Sequence, residues 1–305
     1  MIEDPLIVAV RLGLYVTIGG VFGVSLFAIS GLPIAALANL PLRAFVGVSA
    51  ALGVVLSMFG IAVLAAGMAG MPLGTLTAAD LQAVASMTGI GDAWVARTVA
   101  LAAVAVATLI VRSNLAVAWA GVMFGAVALG SLAWNGHGAA TEGWMGNIHL
   151  AADIAHLLAA GAWFGALLAL GLLVRRAWVG RTHGEVTAAQ IALKRFSVAG
   201  TVIVVTIIVS GLVNSWLLIG PDHIVGLRTT LYGRVLMAKL ALFAGMCGLA
   251  AINRYRLTPA LGRDYPTPDG AIGALRRSLV TETTAALLIL TLVAWLGTLM
   301  PPTAA

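Results

Sequence analysis

The chain has 305 residues, of which 61% are hydrophobic and only 9% charged, where a soluble domain carries about 25% charged residues. With a mean hydropathy of +1.05, most of its surface cannot be hydrated, which excludes a soluble globular enzyme. The net charge of +6 does not point to nucleic acid, because the basic residues sit in short segments between apolar runs, where they signal topology. Those runs are long and continuous. They read as helices, which satisfy their own backbone groups in lipid, rather than as the alternating strands of a barrel. The one cysteine, Cys247, lies inside an apolar run; the expectation is no disulfide framework and no thiolate metal site, and the residue reads as a packing position.

The N-terminal stretch MIEDPLIVAV is acidic and lacks the basic region of a secretory signal, so the first run is expected to be a retained helix. A span needs about 20 apolar residues. Eight runs qualify: 6–29, 42–66, 93–111, 115–134, 149–174, 196–219, 233–252 and 279–299. The expectation is an all-α, polytopic membrane helix bundle forming one transmembrane domain over 1–305. Alternate connections carry Arg43, Arg112, Arg175, Arg176, Arg181, Lys194, Arg195, Arg254, Arg256, Arg263, Arg276 and Arg277. The opposite connections carry Glu3, Asp4, Asp80, Asp92, Glu142 and Asp222, with Arg11, Arg97, Arg228 and Arg234 as their basic members. By the positive-inside rule both termini are extracytoplasmic. On that outer side LTAADLQAVASM, within the long connection 67–92, reads as a short surface helix, and 135–148 is rich in glycine and aromatic residues. The basic connections read as plain connectors.

Polar residues inside spans are costly and are therefore the first candidates for function. His149, Asp153 and His156 are spaced i, i+4, i+7 and share one helical stripe that enters the membrane from the outer side. The two histidines are about 10 Å apart along the axis, too far to hold one ion unaided. Asp153, between them, reads as a ligand, as an acceptor orienting an imidazole, or as the partner of Lys239 in the seventh span. His137 ends the preceding span on the same side. Imidazole suits copper, zinc, nickel and iron, and thioether sulfur adds a preference for Cu(I). Met68 and Met71 lie in the outer segments as auxiliary Cu(I) ligands, with Met87, Met145 and Met300 on the same side. Asn214, Tyr232, Arg234 and Lys239 extend the polar set as pathway or pairing residues. Glu282 is placed either at the end of a conduction path or at the interface, facing the basic loop. Phosphate loops, nucleotide fingerprints and nucleophile elbows are absent, so nothing in the sequence suggests an enzyme.

The motifs GHGAA (136–140), DIAHLLAAGAWFGALL (153–168), RFSVAG (195–200), SGLVNSWLLIG (210–220), YGRVLMAKLAL (232–242) and AINRYRLTP (251–259) resemble those of the CopD/PcoD copper-resistance membrane proteins, in order and in spacing. The resemblance covers roughly 130–300; residues 1–130 match in hydropathy alone. It implies a bacterial inner-membrane protein that moves or accepts copper from the periplasmic side, served by a small periplasmic carrier of the CopC type. The family's recurring histidines fall on His137 and His156. Two other readings stand beside it. One is a b-type cytochrome with a single haem between His137 and His156 or His149, since His183 and His223 fall on opposite sides. The other is a non-transporting membrane partner of a copper carrier.

Overall fold

A computed structural model describes residues 5–32, 41–136, 143–180, 182–220, 225–263 and 269–301. The elements are α1 (Pro5–Ser30), α2 (Leu42–Ala69), α3 (Ala78–Met87), α4 (Gly89–Ile110), α5 (Asn114–Gly130), α6 (Gly143–Gly180), α7 (His183–Ile219), α8 (Leu231–Ile252), α9 (Thr258–Arg263) and α10 (Asp269–Leu296). No strand occurs among the described residues. Among the described residues, eight helices are long and apolar enough to cross a membrane, and each coincides with one of the eight expected runs. The outer connection does form a short helix. Thr77 caps α3, accepting from the Asp80 N–H while the Asp80 carboxylate accepts from the Thr77 N–H. Those Thr77 bonds hold the Asp80 carboxyl below its ordinary value.

The basic connections differ from expectation. α6 continues to Gly180 and α7 begins at His183, so Arg175, Arg176, Lys194 and Arg195 ride on helices rather than in a loop. α6, at 38 residues, is about 57 Å long, where the hydrocarbon core is about 30 Å thick. An apolar count sees only the part in lipid; helix-forming alanine and arginine carry the helix beyond it. Thr182 caps the start of α7, and Gly220, with φ of 68°, ends it.

Beside two smaller clusters, two large ones dominate the interior. One joins α1, α2, α4 and α5 against α6; the other joins α1, α6, α7, α8 and α10. α6 and α1 are common to both, and their crossing sets the spacing of the whole bundle. Helices in lipid gain little from hydrophobicity and associate through close packing of small residues. Here Gly19 and Gly23 of α1 meet Gly161 and Gly165 of α6: a Cβ on Gly23 would stand 2.9 Å from the Gly165 Cα, and one on Gly165 would run into the Gly23 backbone. Gly165→Ala is expected to force the axes apart at a cost of about 1–3 kcal/mol. This should appear as a lower melting temperature in detergent. Gly171→Ala, on the same helix but facing open space, should melt with the wild type.

The ends of the bundle are distinguishable. On one, which we term the basic side, Arg43 caps the end of α4, donating to the carbonyls of Thr108 at 2.7 Å and Arg112 at 3.4 Å. On the other, the histidine side, Arg11 donates to the carbonyls of Asn135 at 3.3 Å and Gly297 at 3.2 Å, tying α1 to the turn after α5 and to the end of α10. Arg97 belongs to no loop. It is 3% exposed and donates to the Ser57 hydroxyl at 3.1 Å and the Ser131 hydroxyl at 3.5 Å.

Candidate functional site

The stripe of α6 faces a cavity of about 170 Å³ on the histidine side. His149, Asp153 and His156 line it, with Asn214 from α7 and Tyr232 and Lys239 from α8. His149 is buried, at 2% exposure. α6 and α7 run antiparallel, so residues one turn apart on one helix meet residues one turn apart on the other. His156 pairs with Ser210 and Asp153 pairs with Asn214.

These two pairs define the chemistry. The Ser210 hydroxyl has one proton, and it is directed to the Thr206 and Ile207 carbonyls. At 3.0 Å from His156 Nδ1, the hydroxyl oxygen must therefore accept. This places the proton on Nδ1 and the lone pair on Nε2, the neutral form in which imidazole binds metals. The ring lies over Gly211, where a Cβ would stand 3.4 Å from His156 Cε1. Asp153 Oδ1 accepts from Asn214 Nδ2 at 2.6 Å, and the buried Asn214 Oδ1 has no partner. Lys239 acts on Asp153 through its charge, while the direct partner of the carboxylate is Asn214.

The other expected residues are distributed as follows. Tyr232 is buried against the cavity, whereas Arg234 is exposed and does not line it. Met68 and Met71, 60% and 37% exposed, lie at and just beyond the end of α2 and do not line the cavity. They share its side of the bundle but not its lateral position. His137, with Glu142, Asp222 and His223, lies outside the described residues. Gly136, the residue before His137, does line the cavity, and a Cβ there would stand 3.7 Å from Asp153 Oδ2. Among the described residues, no three His, Cys, Asp or Glu side chains converge into a metal cage.

Glu282 corrects the interfacial alternative. It is 2% exposed and lies well inside α10, where it accepts from Asn253 Nδ2 and from the Ser278 hydroxyl. The expected span starts at 279, but α10 begins at Asp269, and Glu282 is buried in it, lining a cavity with Trp163, Cys247 and Asn253.

Two further cavities follow the first, each sharing lining residues with the one before it. One of about 250 Å³ shares His156, Ser215 and Lys239 with it and is otherwise apolar, with Met246 and the Trp163–Phe243 ring pair (centroids 5.8 Å apart) on its wall. Another of about 320 Å³ shares Trp163 with the second and reaches Cys247, Asn253 and Glu282. α7 leans on α6 and α8 on α10, and the file of cavities occupies the cleft left between α7 and α8. Sequence reading missed Ser210, Arg11 and this file. Ser210 had a signal: with Asn214 it repeats at i, i+4, matching the polar spacing of α6.

Comparison with known proteins adds the following. A family model for copper resistance protein D matches residues 190–296, and one for the N-terminal domain of copper resistance protein D-like proteins matches 1–147. The chain is 39% identical over 308 residues to copper resistance protein D of Pseudomonas syringae pv. tomato, covering 98% of each chain. It is 37% identical over 134 residues to inner membrane protein YebZ of Escherichia coli (strain K12), covering 44% of this chain and 43% of that one. It is 33% identical over 121 residues to copper transport protein CutJ of Bacillus subtilis (strain 168), covering 40% of this chain and 21% of that one. No solved structure matches it. Likeness thus extends over the first 130 residues, where hydropathy alone had been visible.

Proposed function

This chain belongs to the copper resistance protein D family, and on that premise we propose that it is an inner-membrane copper homeostasis protein that takes copper from the periplasmic side and passes it inward between α6, α7 and α8. The observation that carries this reading is His156. His156 lines both the polar cavity of the histidine side and the apolar cavity beyond, so an ion passing from one to the other passes this ring. The excess of arginine and lysine on the opposite side supports a periplasmic histidine side and extracytoplasmic termini.

In this reading His149, Asp153 and His156 receive copper as cargo, with His137 beside Gly136 as a further ligand. Asn214 and Ser210 orient the carboxylate and the imidazole. Lys239 neutralises Asp153 while the cavity is empty, and its charge keeps the affinity for a cation modest, as a transit site requires. The donor is a small periplasmic copper carrier of the CopC type.

A haem fits the cavity poorly. At about 170 Å³ it falls below the roughly 300–1,000 Å³ of pockets for organic ligands. The haem reading pairs His137 with His156 or His149, and His137 lies outside the described residues.

Proteoliposome flux tests the proposal. Wild-type protein should admit Cu(I) supplied at the histidine side, and His156→Ala should not. Stoichiometric copper binding without any flux would replace transport by a receptor or anchor for the carrier.

A further inference from the structure

The last cavity of the file ends in polar groups that the outer site does not use. Glu282 and Asn253 are 2% and 7% exposed. Asn253 and Ser278 both donate to the same Glu282 oxygen, Oε1. The Asn253 Oδ1 is buried with no hydrogen-bond partner, an arrangement that costs free energy unless a donor or cation completes it. Asn253 opens a π-helical turn, Asn253–Leu257, between α8 and α9; such widened turns recur at functional sites. Six residues earlier is Cys247, which is partly exposed and lines the same cavity as Asn253 and Glu282.

We infer that Cys247, Glu282 and the unpartnered Asn253 Oδ1 form a second soft-cation site, for Cu(I), at the basic end of the file of cavities. The donor set selects the ion. A thiolate favours Cu(I) over hard cations, and two oxygen-bearing side chains are too few for calcium or magnesium, which take six or more oxygens or keep their waters. Met246, 4% exposed, lines the preceding cavity, so the polarizable sulfur of a thioether precedes that of the thiol. The order runs from imidazole through thioether to thiol, toward softer donors away from the histidine side. This site rests on the copper reading above, as the place from which the ion leaves.

Cys247 is the chain's one cysteine, so the protein carries its own reporter. Purified protein in detergent, under anaerobic conditions, would be labelled with a small maleimide with and without Cu(I) alone, and bound copper counted. Cu(I) should slow labelling of the wild type at least about tenfold. His156→Ala, which lacks the outer ligand, should be protected equally, and Glu282→Gln should lose protection. Cys247→Ser should bind one copper fewer than the wild type, which guards against Glu282→Gln acting through misfolding. Equal labelling with and without Cu(I), full protection in Glu282→Gln, or protection that vanishes in His156→Ala would each overturn the site. Failure of the outer site would look different: His156→Ala would bind as much copper as the wild type while Cys247 remained protected.

Discussion

Removing the Ser210 hydroxyl lowers copper affinity at the histidine side by about 10–100-fold without removing any ligand, the usual effect of losing a partner that orients a metal-binding histidine. With its proton committed to the Thr206 and Ile207 carbonyls, Ser210 can only accept from His156. In Ser210→Ala the ring loses that restraint, and either nitrogen may carry the proton. His156→Ala should lower affinity by more than the roughly 100-fold upper bound for such an orienting partner, since it removes the ligand itself. Titration of both purified variants with a competing Cu(I) chelator measures the effect. Ser210→Ala with wild-type affinity would show that the hydrogen bond does not set the tautomer. Ser210→Thr keeps the hydroxyl and should recover most of the binding.

Asp153→Asn is the second large effect, and it concerns stability as well as cargo. Lys239 lines the same cavity as Asp153 and is the positive charge that acts on it. Without the carboxylate, that ammonium stands in a spanning helix without its counter-charge. Breaking a buried contact pair costs about 3–5 kcal/mol; Asp153 and Lys239 share the cavity while the carboxylate's direct partner is Asn214, so the loss should fall below that range. Asp153→Asn should therefore melt below the wild type in detergent. Lys239→Met alone leaves the carboxylate uncompensated and should be similarly weakened. The double variant removes both charges and should return close to wild-type stability, while still binding copper poorly for want of the Asp153 oxygen. Additive losses in the double variant would mean that the two charges do not sense each other. The cycle also separates fold from function, because only the double variant is expected to be stable and deficient in copper binding.

Much of the candidate site could be read along the chain because it lies on one helix. The spacing of His149, Asp153 and His156 places them on a common stripe wherever α6 packs. What they touch could not be read. Ser210 and Asn214 reach them only because α7 runs antiparallel to α6 in one particular register. Met68 and Met71 show the complementary limit. Hydropathy and charge assign a residue to a side of the membrane, but α2 packs on α1 and α4, laterally away from α7 and α8, so the methionines share a side with the histidines and not a cavity. Cys247 read as packing because its neighbours in sequence are apolar; the polar residues that share its cavity, Asn253 and Glu282, come from six residues further on and from a different helix.

The number of spans, their approximate limits, the sidedness of charge and the α6 stripe were determined by the sequence alone, since each depends on transfer free energy or helical period within a single segment. The burial of Glu282, the tautomer of His156, the reach of Arg11 to α10 and the continuity of the cavities were decided only by tertiary structure. Helices in lipid have no general hydrophobic preference for one another. Their register follows from local fits such as Gly19 and Gly23 against Gly161 and Gly165, and those fits exist only once two distant segments have met.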